Sequence, residues 1–109
     1  MRLTFYYAPV TDLAAATAYY RDQLGFDEAW REGDDTVSFW MPGRVGQVML
    51  SLTEQPPGPM YLVDDLAEWL ASHPGVDLIS PPYAIPGGRV AGVRGPESNA
   101  YYVFDQPDA

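Results

Sequence analysis

One five-residue signature occurs twice in this chain and restricts its fold more than any other feature. Val10-Thr11-Asp12-Leu13-Ala14 returns 53 positions later as Val63-Asp64-Asp65-Leu66-Ala67. Each copy sits where a strand pattern gives way to a helical one. Before the first copy, residues 3–10 carry three consecutive aromatics, Phe5, Tyr6 and Tyr7, which suit a pleated surface. After it, Thr11 or Asp12 caps a helix predicted to run to about residue 24, with Gly25 as its stop. Leu13, Ala16, Tyr20 and Leu24 recur at steps of three and four, so one stripe of that helix faces a sheet. Strands are predicted over 26–31, 36–41 and 47–52, divided by turns at Gly33-Asp34-Asp35 and Pro42-Gly43.

The proline-rich TEQPPGP at 53–59 reads as a linker, and beyond it the order restarts. A strand is predicted over 60–63, then a helix over 65–72 with Leu66, Trp69 and Leu70 on one side, stopped by His73-Pro74-Gly75. Strands over 76–79, 89–93 and 100–104 complete the second half. The same order after each signature implies a duplicated βαβββ module within one α+β domain, module one at about 1–54 and module two at about 58–109.

Charge and composition then exclude whole classes of function. Fifteen acids against six bases, all arginine, give a formal charge of −9, an unfavourable surface for nucleic acid or anionic membrane. Neutral or cationic small molecules fit such a surface better. The absence of cysteine removes disulfides, thiolate nucleophiles and thiolate metal sites. No apolar run approaches the roughly 20 residues that span a bilayer, and MRLTFYYAPV lacks the apolar core of a signal peptide. Cytoplasmic residence is the resulting expectation.

The segment Ala16 to Phe26, A-x-x-Y-Y-R-D-x-L-G-F, together with V-x-D-L at Val10 to Leu13, resembles the vicinal oxygen chelate superfamily of glyoxalases, extradiol dioxygenases and bleomycin-resistance proteins. Gly95-Pro96-Glu97-Ser98-Asn99 is similar to that family's D-P-x-G-N turn before the last strand, with Gly95 in place of Asp and Ser98 in place of Gly. The resemblance implies two βαβββ modules forming an open eight-stranded half-barrel with helices on the convex face. It places Tyr6, Ala8 and Val10 under helices and turns Phe5 and Tyr7 toward the cleft.

Enzymes of that family hold a divalent metal on residues from the first and last strand of each module. The resemblance puts those positions at Phe5, Ser51, Gly58 and Tyr102, none of them a metal ligand of ordinary strength. The single histidine, His73, falls at the end of the second helix, a place where it complements the helix dipole. Neither a metal, another cofactor nor a catalytic residue is therefore expected. Asp34-Asp35 and Asp64-Asp65 are adjacent carboxylates, and their places at a turn and a helix start are those of solvated or capping acids.

At two of these positions, Phe5 and Tyr102, this chain places rings. By strand parity Phe5, Tyr7, Met49, Ser51, Tyr102 and Phe104 share the cleft face, and Tyr83 falls in a loop that the family folds over it. Trp40 alternates with Phe39 and Met41, so either Trp40 or the other two face inward, and Trp30 is equally ambiguous. Phe5, Tyr7, Trp40, Met49, Ser51, Tyr83, Tyr102 and Phe104 are the expected ligand-binding set. The expected function is metal-free sequestration or carriage of an aromatic and possibly cationic molecule, such as an antibiotic, by a homodimer. A metal-dependent glyoxalase-like lyase, isomerase or dioxygenase and a non-catalytic interaction module are the alternatives.

Overall fold

The computed structural model describes residues 1–109, which divide into two compact units, Thr4–Pro57 and Gly58–Ala109 with Met1–Leu3. The first half contains β1 (Arg2–Pro9), α1 (Leu13–Ala18), β2 (Glu28–Glu32), β3 (Thr36–Trp40) and β4 (Gln47–Ser51). Its strands lie in the order β2-β3-β4-β1, with β1 parallel to β4 and the other pairs antiparallel. The second half contains β5 (Gly58–Leu62), α2 (Leu66–Ser72), β6 (Asp77–Ile85), β7 (Gly88–Arg94) and β8 (Ala100–Asp105). Its order is β5-β8-β7-β6, again with one parallel pair, β5 on β8. The chain is thus α+β, built from two βαβββ modules.

The repeated signature does the same physical work in both modules. Asp12 Oδ1 accepts the Ala15 N–H at 2.9 Å, and Asp65 Oδ1 accepts the Glu68 N–H at 3.0 Å, so each aspartate caps its helix. The valine before each cap donates its N–H to the last strand of its own module, Val10 to the Ser51 carbonyl at 2.9 Å and Val63 to the Phe104 carbonyl at 2.8 Å. Strand, junction and helix are therefore locked by equivalent bonds at equivalent places.

One face of each sheet is covered by its helix. In module one Val37, Phe39, Val48 and Leu50 form the buried layer, and Ala8, Val10, Leu13, Ala16, Tyr20, Phe26 and Met41 pack on it. In module two the layer is Val63, Leu66, Ala91, Val93 and Val103, with Trp69, Leu70, Val76 and Tyr101 against it. Tyr6, expected under the helix, stays 42% exposed, because six residues of α1 cover only the Ala8–Val10 end of the strand.

The predicted helix to residue 24 is α-helical only as far as Ala18. Tyr19–Gln23 continues as a π-helical turn, closed by Leu24 N–H to the Tyr19 carbonyl at 3.1 Å. The wider turn carries Leu24 off the apolar stripe to 45% exposure, and Phe26 packs on the layer instead. Two strands also occupy segments not expected to be strand. β5 begins inside the supposed linker, at Gly58, and β6 runs through Pro81 and Pro82 to Ile85. Prolines are tolerated there because β6 is the edge strand of its module and the ladder shifts register between Ser80 and Tyr83. No helix is long and apolar enough to cross a membrane.

Candidate functional site

With Val37, Phe39, Val48 and Leu50 under α1, alternation sends Thr36, Ser38, Trp40, Gln47, Met49 and Ser51 to the opposite, helix-free face of module one. Strand register lines them up in rows. Phe5, Gln47 and Trp40 face one another across β1, β4 and β3; Tyr7, Met49 and Ser38 form the next row; Pro9, Ser51 and Thr36 the third. This settles the Trp40 alternatives: Phe39 and Met41 pack under the helix and Trp40 is on the free face.

The floor of that face is polar and buried. Ser38 is fully buried, and Thr36, Gln47 and Ser51 are each less than a tenth exposed. Ser38 Oγ donates to Gln47 Oε1 at 2.6 Å, and the Thr36 and Ser51 hydroxyls are hydrogen-bonded at 3.0 Å. Above the floor, Trp30 of β2 meets Phe5 of β1 edge to face, ring centroids 5.9 Å apart. Their strands are three places apart in the sheet, roughly 14 Å if it were flat. Module one is therefore curled into a trough, with two rings leaning together over a hydroxyl and amide base. Trp40 stands at its end with the Arg44 guanidinium 5.6 Å from its ring, held by a 2.8 Å ion pair to Asp27.

Module two presents a different helix-free face. Met60, Tyr102, Phe104 and Val90 are all buried, Tyr102 and Phe104 to 1% exposure, so these rings form a packed layer. Gly92 makes room for it: a Cβ there would lie 2.8 Å from Ser80 Oγ and 3.1 Å from the Tyr102 ring. Tyr83 lies within β6, opposite Val90, rather than in a loop, and is 41% exposed. Burial, and secondarily the Tyr83 phenol, pushes the Tyr102 hydroxyl up to about 12 from its ordinary 10.0. The neutral phenol is the form that folding favours. Its contribution is complete below pH 10 and is lost as pH rises through 12. An absorbance titration at 295 nm is expected to show one tyrosine ionising late, and Tyr102→Phe to remove that step together with part of the alkaline unfolding.

The metal positions implied by the sequence resemblance can be tested one by one. Phe5 carries no donor. The Ser51 hydroxyl is bonded to Thr36. A side chain at Gly58 would collide with the Ala100 carbonyl oxygen and lie 3.0 Å from its carbon. The Tyr102 phenol is held protonated to about pH 12. Module register also pairs Tyr102 with Met49 rather than Ser51, since Tyr7 faces Met49 as Met60 faces Tyr102, and no donor is gained by that exchange. No group of three or more His, Asp or Glu side chains lies close enough to hold a metal ion. His73 donates from Nδ1 to the Trp69 carbonyl at 2.7 Å and stacks on the Trp69 ring, capping α2. The donor set does not fit the family's metal.

The sequence reading put Phe5, Tyr7, Met49 and Ser51 on this face, left the facing of Trp40 open, and passed over Thr36, Ser38 and Gln47. The signal was available: 36–40 and 47–51 alternate polar or large with apolar at period two. The turn at Gly95–Asn99 is strained, with Glu97 and Ser98 at φ 55° and 64°, in the left-handed region; Ser98 stands where the motif has a glycine, which adopts that region without cost.

Among curated proteins none matches the chain. Solved structures of similar fold are numerous. They include NAD-dependent benzaldehyde dehydrogenase from Legionella pneumophila (TM-score 0.73, 13% identity, 94% of this chain and 97% of that one). Hypothetical protein BH1468 from Bacillus halodurans (0.70, 18%, 95% and 93%) is similar too. So is a glyoxalase/bleomycin resistance protein/dioxygenase superfamily member from Vibrio splendidus (0.67, 19%, 95% and 97%). At these identities the likeness is one of fold. The family model for the Glyoxalase/Bleomycin resistance protein/Dioxygenase superfamily, however, matches residues 2–98, nearly the whole chain, and to that superfamily this chain belongs.

Proposed function

We propose that the protein is a metal-free binding protein for a flat aromatic small molecule, held on the helix-free face of module one. The observation that carries this reading is the Trp30–Phe5 pair meeting over a buried floor of Ser38, Gln47, Thr36 and Ser51. Rings that are only half-buried give area and geometry for a planar guest, and buried hydroxyl and amide groups give orientation. Tyr102 and Phe104 of module two are less suited, being fully packed. The four metal positions supply no donor set, so binding without chemistry is the economical reading of this member of the superfamily.

Two of the three tryptophans, Trp30 and Trp40, line this face, so binding reports itself. Titration with a panel of planar aromatic compounds is expected to give saturable quenching that EDTA leaves unchanged and that falls in Trp40→Phe. Quenching abolished by EDTA would replace this reading with a metal-dependent one. No saturable response across the panel would overturn it in favour of an interaction module.

A further inference from the structure

We propose that Gln47 is the specificity-determining hydrogen-bond donor of module one's trough, selecting planar ligands that carry a neutral carbonyl-type acceptor. This rests on the reading of that face as a ligand site and goes beyond it in naming the chemistry of the guest.

Gln47 is 9% exposed, yet only one end of its amide is used. Ser38, fully buried, donates to Oε1 at 2.6 Å, which fixes the amide plane. The one side-chain hydrogen bond of Gln47 uses Oε1, and Nε2 is not among the fully buried atoms without a partner, so the donor end of the amide is left to the surface of the face, its capacity available to a guest. That donor lies in the row between the Phe5 and Trp40 positions, where a flat ring system would pass. An acceptor oxygen on the guest would complete the amide's bonding.

Charge narrows the acceptor. A chain of net charge −9 disfavours an anionic guest. A cationic guest would seek the Trp40 ring, and Arg44, anchored by Asp27, already lies over it. A neutral carbonyl meets neither obstacle. The cationic ligand expected from overall charge is thus less suited to this trough than a neutral one.

The test compares 9-fluorenone with fluorene, tricycles of nearly the same shape that differ in one carbonyl, by tryptophan quenching. The wild-type protein is expected to bind fluorenone at least about tenfold more tightly. In Gln47→Met, which keeps length and burial, fluorenone should fall to the affinity of fluorene while fluorene is unchanged. Gln47→Glu, which sets an acceptor against the carbonyl, should do the same, and circular dichroism verifies that each variant is folded. Equal wild-type affinities, or a preference that survives both substitutions, overturns the role of Gln47 while leaving the aromatic site standing. Failure of every planar compound overturns the site itself, and the inference with it.

Discussion

Asp105→Ala is expected to lower stability by about 3 kcal/mol and the thermal midpoint by roughly 10–20 °C. Asp105 ends β8, is 8% exposed, and serves two backbone donors at once. Its Oδ2 accepts the Leu66 N–H at 2.7 Å and its Oδ1 the Arg89 N–H at 3.1 Å. Leu66 opens α2, so its N–H has no partner within the helix, and a carboxylate at that end also meets the positive pole of the helix. Alanine would leave both donors without an acceptor. Little room exists for water to take over, because Gly88 of β7 already touches the Asp105 backbone so closely that a Cβ there would collide with its carbonyl oxygen. Asp105→Asn keeps one acceptor and turns an N–H toward the other donor, so it should recover less than half the loss. Guanidinium unfolding followed by circular dichroism measures both. A loss under 1 kcal/mol for the alanine variant would mean that α2 and β7 hold their positions without this carboxylate.

Asp105 also shows where sequence reasoning stops. The modules were legible because their signals are local: two aspartate caps, a C-terminal glycine, and strands whose apolar residues alternate. The reading ended the last strand one residue short of Asp105, and nothing near it in sequence announces that its partners lie 39 and 16 positions away. The π-helical turn was hidden for a related reason. Leu24 fits a 3.6-residue stripe as well as any helical leucine, and only the tertiary fit of Phe26 makes the wider turn preferable. Parity put Phe5, Tyr7 and Met49 on the helix-free face of module one but did not show what lies between them. Ser38 and Gln47 matter because two strands set them in hydrogen-bonding distance, a fact of register. In module two, parity could not show burial: Tyr102 and Phe104, expected on the cleft face, are packed to 1% exposure, with Gly92 leaving room for the Tyr102 ring.

Gly58→Ala is expected to cost about 3 kcal/mol, and Gly58→His more, with no gain in metal affinity from the added imidazole. The backbone at Gly58 needs no left-handed conformation, so the demand for glycine is purely one of distance. A Cβ there would run into the Ala100 carbonyl oxygen and press on its carbon at 3.0 Å and on the Tyr101 Cα at 3.5 Å. All three contacts are backbone, and backbone in a ladder has no rotamer with which to move aside. The strain must separate β5 from β8, whose parallel pairing continues at Met60–Tyr102, Tyr61–Val103 and Leu62–Phe104. Gly46→Ala is the matched control, since a Cβ there meets only the Thr4 carbonyl oxygen at an ordinary 3.7 Å, and it should change stability by under 1 kcal/mol. Denaturant midpoints of the two variants decide the matter, with zinc and manganese titrations of Gly58→His beside them. A neutral Gly58→Ala would mean that β5 and β8 part easily and that position 58 remains open to a donor. A large loss would mean that close packing of β5 on β8 excludes any side chain, and so any metal donor, at position 58.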